Sequence, residues 1–571
     1  MASITKKMVR GHAYYYAREC KRVDGKPKIV WQRYLGKLED IVRAVEERRE
    51  GRPIPQAEDQ SLVTDFGAAA ALYDLSRRLD VVGIVDRHAP KRGSGPSVGT
   101  YLLVAILNRC LAPRSKARVA EWFDQTVLRR LVDVGARQLT SQRFWDNMDR
   151  VSESTIAAIE ADLARRVVED FDVDLCRVLF DATNFFTFID TFNEKSELAK
   201  RGKGKEGRAL RLVGLALLVS ADGHLPLLHH TYPGNQTDAP TFASLTHMLV
   251  ARLNQLSEEV EHVTIIFDKG NNSEANLHAV DAAPFHFVGS LVPTHHPDLL
   301  EVPEEAFTSL APEGLSAVRT HRTVKKVFGS DRTVVVAFNE NLFVAQSRTL
   351  LREIAKRQRG LAEIAARLGK WRRGEVRGGR PPTYEGTVKA VSTVLKGRHM
   401  KDLFEVDVSV RDDLPELVYR FRQEAWEHLQ HTLLGKTLLF TDNHDWTDVE
   451  IVRAYRAQYH IEDGFRAMKD PHHIALRPQF HWTDQKVRVH VFTCVSAFLL
   501  VSLLRRELAR RGFDLSIRRM LEVLGQIREV ITVFPPQAGD TEPTMRTSLT
   551  RMTEQQRSLF EALDLKRYTT S

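Results

Sequence analysis

The chain has 571 residues, with 83 Lys plus Arg against 74 Asp plus Glu and a formal net charge of +9. A length several times the roughly 150 residues of a common domain allows one to four domains and a large core. The 43% apolar and 27% charged fractions exclude a mostly disordered or collagen-like chain. The basic excess favours a polyanionic partner over a small acidic substrate, but charge alone does not choose between nucleic acid and an anionic membrane.

Four cysteines, Cys20, Cys110, Cys176 and Cys494, have no partners at metal-ligand spacing. A disulfide framework or zinc ribbon is therefore not expected, and a reducing compartment fits. The N-terminus lacks the apolar core of a signal peptide. The longest apolar stretch, Phe492 to Leu504, is about 13 residues, short of the ~20 that span a bilayer. It reads as a buried helix, and a cytoplasmic protein with no membrane partner is expected.

In chain order, residues 12–36 read as two strands turning at Asp24-Gly25, followed by a helix from Leu38 to Arg49 and a Pro-Gly linker. Residues 65–170 have helical apolar spacing, with breaks at Ala89-Pro90, 93–96, Ala112-Pro113 and Val151-Ser152. The basic residues scattered through them suit DNA contact or a solvated helix face equally. CRVLFDATNFFTF (176–188) is a strand, and 210–234 is a long hairpin turning at Asp222-Gly223. A helix capped at Thr237/Asp238, the strand VTIIFDKG (263–270), a helix from Ser273 to Ala282 and the strand FHFVGSLVP follow. This order predicts an α/β domain with a mixed sheet. Between 300 and 436 the β-like pieces RTVKKVFG, RTVVVAFN, TVKAVSTVLKG and DLFEVDVSV surround a basic segment, 352–380, with ten Lys/Arg against three Glu. LGKTLLFTDN is a strand, Thr447 to about Asp470 is one helix ending at Pro471, and the remainder is helical up to a Thr-rich tail.

Two carboxylates interrupt or end buried strands, Asp181 in VLFDATNFF and Asp268 in TIIFDKGNN. A charge in so apolar a context costs several kcal/mol unless paired or metal-bound, and a pair on adjacent strands suits Mg²⁺, although a lone buried Asp is about as often a turn or cap residue. In the helix after the last strand, Tyr455, Gln458, Glu462 and Lys469 lie at offsets 0, 3, 7 and 14 and share one face, beside an apolar face of Ile451, Ile461, Phe465 and Met468. The loop carrying Lys200, Arg201, Lys203, Lys205 and Arg208 is interleaved with Gly202, Gly204 and Gly207, which let backbone approach phosphate. Asp238 reads as an N-cap, and Asp190 and Asp222 as turn residues. The adjacent pairs His229-His230, His295-His296 and His472-His473 lack zinc-ligand spacing.

Taken together, these segments resemble the catalytic core of bacterial insertion-sequence DDE transposases, closest to the cut-and-paste group with a β-rich insertion before the catalytic Glu. In that group the Glu helix reads Tyr, two residues, Arg, three residues, Glu, six residues, Lys; here Gln458 fills the Arg position, and Arg456 or Arg466 is the candidate substitute. KRGKGKEGRALRLVGLALLVSADGHLPLLHHTYPGNQTDAPTF and LRPQFHWTDQKVRVHVFTCVSAFLL resemble the segments flanking that core. The resemblance implies an RNase H-like (retroviral integrase-type) mixed-sheet core interrupted by the insertion, with a largely helical N-terminal DNA-binding region. The expected division is 1–56 hairpin plus helix, 60–170 helical DNA-binding region, 171–299 first core part, 300–436 β-rich insertion, 437–510 second core part, and 511–571 helical tail. It further implies Asp181, Asp268 and Glu462 as catalytic metal ligands for two Mg²⁺ ions per site, with Mn²⁺ as a substitute. Tyr455, Gln458, Arg466, Lys469, Arg201, Lys203, Lys205 and Arg208 are the expected DNA contacts. The expected partners are double-stranded DNA, as transposon ends and target, and a second copy of the chain in a synaptic homodimer. The expected activity is binding of terminal inverted repeats, phosphodiester cleavage and 3′-end transfer; a catalytically inactive DNA-binding regulator and a nuclease without strand transfer are the alternatives.

Overall fold

In the computed structural model the described residues are 2–9, 12–23, 26–49, 60–91, 93–190, 192–203, 209–236, 238–310, 312, 314–477, 479–535 and 543–570. They fall into two compact units, 1–67 with 525–571, and 68–524. In the first unit β1 (Ala2–Val9), β2 (His12–Val23) and β3 (Lys26–Gly36) form an antiparallel sheet, and α1 (Leu38–Arg49) follows. The Asp24-Gly25 turn and the 51–59 linker lie outside the described residues, but Val23 pairs with Lys26 as a two-residue hairpin requires. β4 (Gln60–Asp65) pairs with a strand from the far end of the chain.

The second unit opens with helices: α2 (Gly67–Arg78), α3 (Val81–His88), α4 (Val98–Leu111), α5 (Val119–Asp124), α6 (Leu128–Leu131), α7 (Ser141–Met148) and α8 (Glu153–Phe171). Side chains supply their starts: Ser97, Thr140 and Ser152 each accept a backbone N–H from the first turn. The sheet then begins with β5 (Arg177–Phe186), β6 (Lys200–Lys203), β7 (Ala209–Ser220) and β8 (Pro226–Pro233). At the β7–β8 turn Gly223 and His224 both take positive φ, which glycine supplies at no steric cost. After α9 (Asp238–Leu256) come β9 (Thr264–Ile266), α10 (Glu274–Asp281) and β10 (His286–Ser290). The Thr237/Asp238 cap lies outside the described side chains.

α11 (Pro297–Leu300), β11 (Thr308–Ser309), β12 (Val318–Val327) and β13 (Ser330–Asn339) follow. Here the expected insertion divides. β12 and β13 do not form a separate β module: β13 pairs with β16 (Lys436–Thr441) and so belongs to the main sheet. The reason is burial on both faces, since Val334, Val335 and Val336 are fully buried in sequence, the mark of an interior strand. The remainder is α12 (Glu340–Arg372), α13 (Tyr384–Val394), α14 (Met400–Leu403), the hairpin β14 (Phe404–Arg411) with β15 (Leu414–Phe421), and α15 (Gln423–Thr432). These pack around their own core, including Ile354, Leu361, Val391, Leu403 and Trp426. The expected strand TVKAVSTVLKG is helical instead. Thr383 caps it by accepting the Gly386 N–H, and Thr387, Val391 and Leu395 bury one face at a four-residue spacing.

The ten-stranded sheet has the order β11-β12-β13-β16-β10-β9-β5-β7-β6, with β8 beside β6 on the far edge of β7. β5, β9 and β10 run parallel, while β7 and β16 flank them antiparallel. α16 (Asp448–Arg456), α17 (Tyr459–Lys469), α18 (Asp484–Arg510) and α19 (Ile517–Gly525) complete the unit. α18 contains the longest apolar stretch, and 94% of its apolar window is buried inside the protein, so it is the core helix. The tail is not wholly helical. β17 (Arg528–Phe534), a β-branched run, is the middle strand between β4 and β18 (Thr544–Leu549), and α20 (Glu554–Ala562) follows. All four cysteines are free thiols.

Candidate active site

The site starts from strand register. β5 and β9 are parallel with Leu179 beside Ile266, and β10 and β9 are parallel with Val288 beside Ile266. Two residues further on, the same register sets Asp181, Asp268 and Ser290 in one row across three adjacent strands. Asp268 lies just past β9 but keeps extended backbone, φ −86° and ψ 162°, so the row is not broken there. Behind it the strands are closed to water: Val178, Leu179, Ile265, Ile266 and Phe267 are fully buried.

α16 and α17 bring the remaining side chains. Thr447 and Glu450 form a capping box that starts α16, and Ile451, Ile461, Phe465 and Met468 bury the apolar face, as the spacing predicts. The expected single helix is broken at Ala457-Gln458. Both residues keep right-handed helical dihedrals, but three nearby N–H groups bond three residues back: Gln458 to Tyr455, His460 to Ala457 and Ile461 to Gln458. This 3₁₀ tightening shifts α17 relative to α16, so a single 3.6-residue face does not carry through from Tyr455 to Lys469.

Tyr455 is aimed at the carboxylate row. Its hydroxyl donates to Asp268 Oδ1 at 3.0 Å and lies 2.8 Å from Ser290 Oγ, which itself donates to Oδ1 at 3.1 Å. Burial and the Asp268 charge push the Tyr455 phenol up, so it remains a protonated donor at neutral pH. Both hydroxyls meet Oδ1, which leaves Oδ2 outside this cluster. Gln458, expected in a phosphate-anchoring position, is buried. Glu462 is exposed on α17 and shares with Asp268, Tyr455, Gln458 and Arg456 a cavity of about 560 Å³. Arg456 NH1 donates to the Gly314 carbonyl at 3.0 Å. Arg466 is exposed and paired with Asp463 at 2.6 Å. Lys469 donates to Thr183 Oγ1 at 2.5 Å, two residues along β5 from Asp181. Arg201 is exposed on β6, and Lys203 is the last residue of that strand; Lys205 and Arg208 lie outside the described residues.

Sequence reasoning missed Thr183 and Ser290. Strand parity from Asp181 would have found the first, whereas the second needed the β9–β10 register. It also missed an aromatic surface beyond β5. Phe188 stacks on Phe480 at 5.3 Å, both more than half exposed, while Lys195 lies 4.8 Å over the half-exposed Trp482. Arg477 stands 5.1 Å over Phe186 and donates to the Lys469 carbonyl at 3.1 Å, linking this surface to the carboxylate row. Exposed aromatics interleaved with cations suit nucleic-acid bases and backbone.

α17 sits directly on α18 at Gly464, where a Cβ would come within 2.8 Å of the Phe498 ring. Gly464→Ala is therefore expected to cost about 1–3 kcal/mol in a urea melt of the purified protein.

Residues 174–495 match the family model described as Transposase DDE domain. The chain belongs to the DDE transposase family. Among curated proteins none matches it. Among solved structures it is similar to the piggyBac transposase in a synaptic complex with hairpin DNA, determined by cryo-EM, at 8% identity over 82% of each chain with a TM-score of 0.35. As a DDE transposase the protein belongs to a class of divalent-metal-dependent enzymes of DNA cleavage and transfer, and the matched span contains Asp181, Asp268 and Glu462. The donor set fits a hard cation. Mg²⁺ is usually held by one or two carboxylates plus water and substrate phosphate, and the transposase presents two aspartates side by side with one oxygen of Asp268 outside the hydroxyl cluster. Among the described residues no three His, Cys, Asp or Glu side chains are drawn together as one metal-sized group, Asp181, Asp268 and Glu462 included.

Proposed function

We propose that this transposase serves a bacterial insertion sequence. It binds the element's terminal inverted repeats as a homodimer in the cytoplasm, cleaves phosphodiester bonds there and transfers the 3′ ends into target DNA. Asp181, Asp268 and Glu462 are the catalytic carboxylates, holding two Mg²⁺ ions, for which Mn²⁺ can substitute. The observation that carries the reading is the row of Asp181, Asp268 and Ser290 across three parallel strands, inside the span that matches the family. The sheet order supports an RNase H-like core: β5 is central, the β7–β8 hairpin extends it antiparallel on one side, and β9 and β10 extend it parallel on the other.

When bound, the ions would supply Lewis-acid activation of the attacking water or 3′-hydroxyl and charge stabilisation of the leaving oxygen. The chain's own residues do the positioning. Tyr455 and Ser290 hold Asp268 in one rotamer by donating to Oδ1, and Lys469 offers a point charge to a phosphate near Asp181. Arg456, lining the cavity, is the candidate for the charge that Gln458 lacks. Arg352, Lys356, Arg359, Arg367 and Lys370 are exposed along one stripe of α12, at a spacing suited to a DNA backbone.

Incubation with labelled end duplex and Mg²⁺ tests the reading: nicked ends and end–target joint molecules are expected. A bound but intact duplex would assign a regulator, and nicking without joining a nuclease; either overturns the proposal. Tyr455→Phe, which removes only the hydroxyl on Asp268, is expected to slow single-turnover cleavage about 10- to 100-fold with end affinity unchanged, as removing a residue that orients a metal ligand does.

A further inference from the structure

The loop after α17 is built under backbone strain. Ile474 and Ala475 both take left-handed φ, 53° and 54°, a region a β-branched residue rarely enters, and both are buried. Such a conformation persists only where the surroundings over-determine it. The holding groups come from α4, from Lys116 in the 3₁₀ turn that follows it, and from α18. The Ile474 N–H donates to the Arg109 carbonyl at 3.1 Å, and the Arg109 guanidinium donates to the Ala475 carbonyl at 3.4 Å. His490 Nε2 donates to the Leu476 carbonyl at 3.2 Å, and the Cys494 thiol faces the Ile474 carbonyl at 3.9 Å. Further along, Lys116 Nζ lies 2.7 Å from His481 Nε2 and 4.6 Å over the Trp145 ring. His481 in turn donates from its backbone to Gln479 Oε1 at 2.9 Å, and the Gln479 carbonyl accepts the Phe188 N–H at 2.8 Å just beyond β5.

The same loop reaches the proposed site. The Leu476 N–H donates to the Met468 carbonyl at 2.8 Å and Arg477 to that of Lys469, so the loop ties down the last turn of α17. We propose that Arg109, Lys116 and His481 are positioning residues: Arg109 clamps the strained 470–477 loop directly, Lys116 and His481 hold it through His490, whose ring lies 4.8 Å from that of His481, and together they fix α17, with Glu462 and Lys469, against β5. This rests on the reading of Glu462 as catalytic.

The clamp carries a charge conflict. Lys116 faces Arg109 from α4, Lys486, His490 and Cys494 from α18, and His481; Lys486 is itself paired with Asp149 at 2.6 Å. Burial first, then Arg109 and Lys486, lower the Lys116 pKa to about 7, and burial holds His481 and His490 neutral. Lys116 is therefore charged among cations below about pH 7 and relieved above it, so the clamp tightens as pH rises through that value.

Single-turnover cleavage by the full chain against pH tests this, with Lys116→Met keeping the side-chain length. The ratio of wild-type to variant rate is expected to climb through about pH 7 and to reach roughly 10- to 100-fold above it, with end affinity unchanged. Adding Ala475→Gly, which removes the cost of the left-handed conformation, is expected to restore most of the lost rate. Hydrogen exchange at the Ile474 and Leu476 amides is expected to quicken in Lys116→Met, a readout independent of the chemistry. Wild-type exchange together with a wild-type pH profile in Lys116→Met overturns the clamp, and a lowered rate that Ala475→Gly does not rescue assigns Lys116 a merely structural role. If Glu462→Gln still cleaves while exchange quickens in Lys116→Met, the catalytic reading fails and the loop clamp stands.

Discussion

Asparagine at Asp181 or Asp268, or glutamine at Glu462, is expected to reduce strand cleavage by about 10³-fold or more, because each removes several kcal/mol of transition-state charge stabilisation. Binding of the end duplex should change little, since contacts to phosphate dominate that affinity and none of the three carboxylates supplies a positive charge. Pairwise combinations should be hardly slower than the single variants, since ligands of one centre act as a unit. Stability separates this outcome from misfolding. The register sets Asp181 beside Asp268, so neutralising either removes a like-charge repulsion, and the variants should melt no lower than the wild type. Calorimetric titration with Mn²⁺ should show weakened metal binding in the same variants. Cleavage retained by any one of them would remove that residue from the site.

The parts of the fold legible in the sequence were those where local signals and tertiary demands agree. VLFDATNFF reads as a strand and is one, because its apolar run is buried on both faces in the centre of the sheet. The helix starts were legible for a similar reason: Ser152, Ser273 and Thr447 are polar side chains that the first helical turn requires. TVKAVSTV misled because β-branched residues raise strand propensity by about a few tenths of a kcal/mol each, less than burying Thr387 and Val391 on one face of a helix returns. REVITVF went unread as a strand because its partner, QSLVTD, lies at the other end of the chain, and edge pairing leaves no local trace.

The site was legible in its residue types and not in its arrangement. Asp181 and Asp268 stand out as charges in apolar strands, yet only the parallel register puts them side by side. Tyr455, an expected phosphate contact, is bonded to Asp268, and the 3₁₀ step at Ala457-Gln458 divides α16 from α17. That step depends on how the two helices seat against β10 and β5, which no spacing rule encodes.

Arg506 carries the largest expected effect on stability. It lies in α18 with only 5% of its side chain exposed. Its Nε donates to Asp222 Oδ1 at 2.9 Å and NH2 to Oδ2 at 2.5 Å, a bidentate pair with the β7–β8 turn. The same guanidinium donates to the carbonyls of Phe171 at 2.8 Å and Asp172 at 2.7 Å, which close the C-terminal end of α8. One cation thus satisfies helix-end carbonyls, sharing that of Phe171 with Arg510 NH1 at 3.0 Å, and joins three elements. Arg506→Met leaves the carbonyls and the carboxylate without that donor set while keeping most of the aliphatic volume, so about 3–5 kcal/mol should be lost. Asp222→Asn should cost less, because the arginine keeps its carbonyl partners, and the double variant should lose less than the sum of the two. The hydrogen bond and charge of Arg506 hold the Asp222 carboxyl below its usual range despite burial. Its contribution is therefore complete above about pH 4 and fades as pH falls through the lowered value. Urea midpoints measured from pH 7 downward should fall more steeply for the wild type than for Asp222→Asn; parallel curves would show that the pair contributes nothing to the fold.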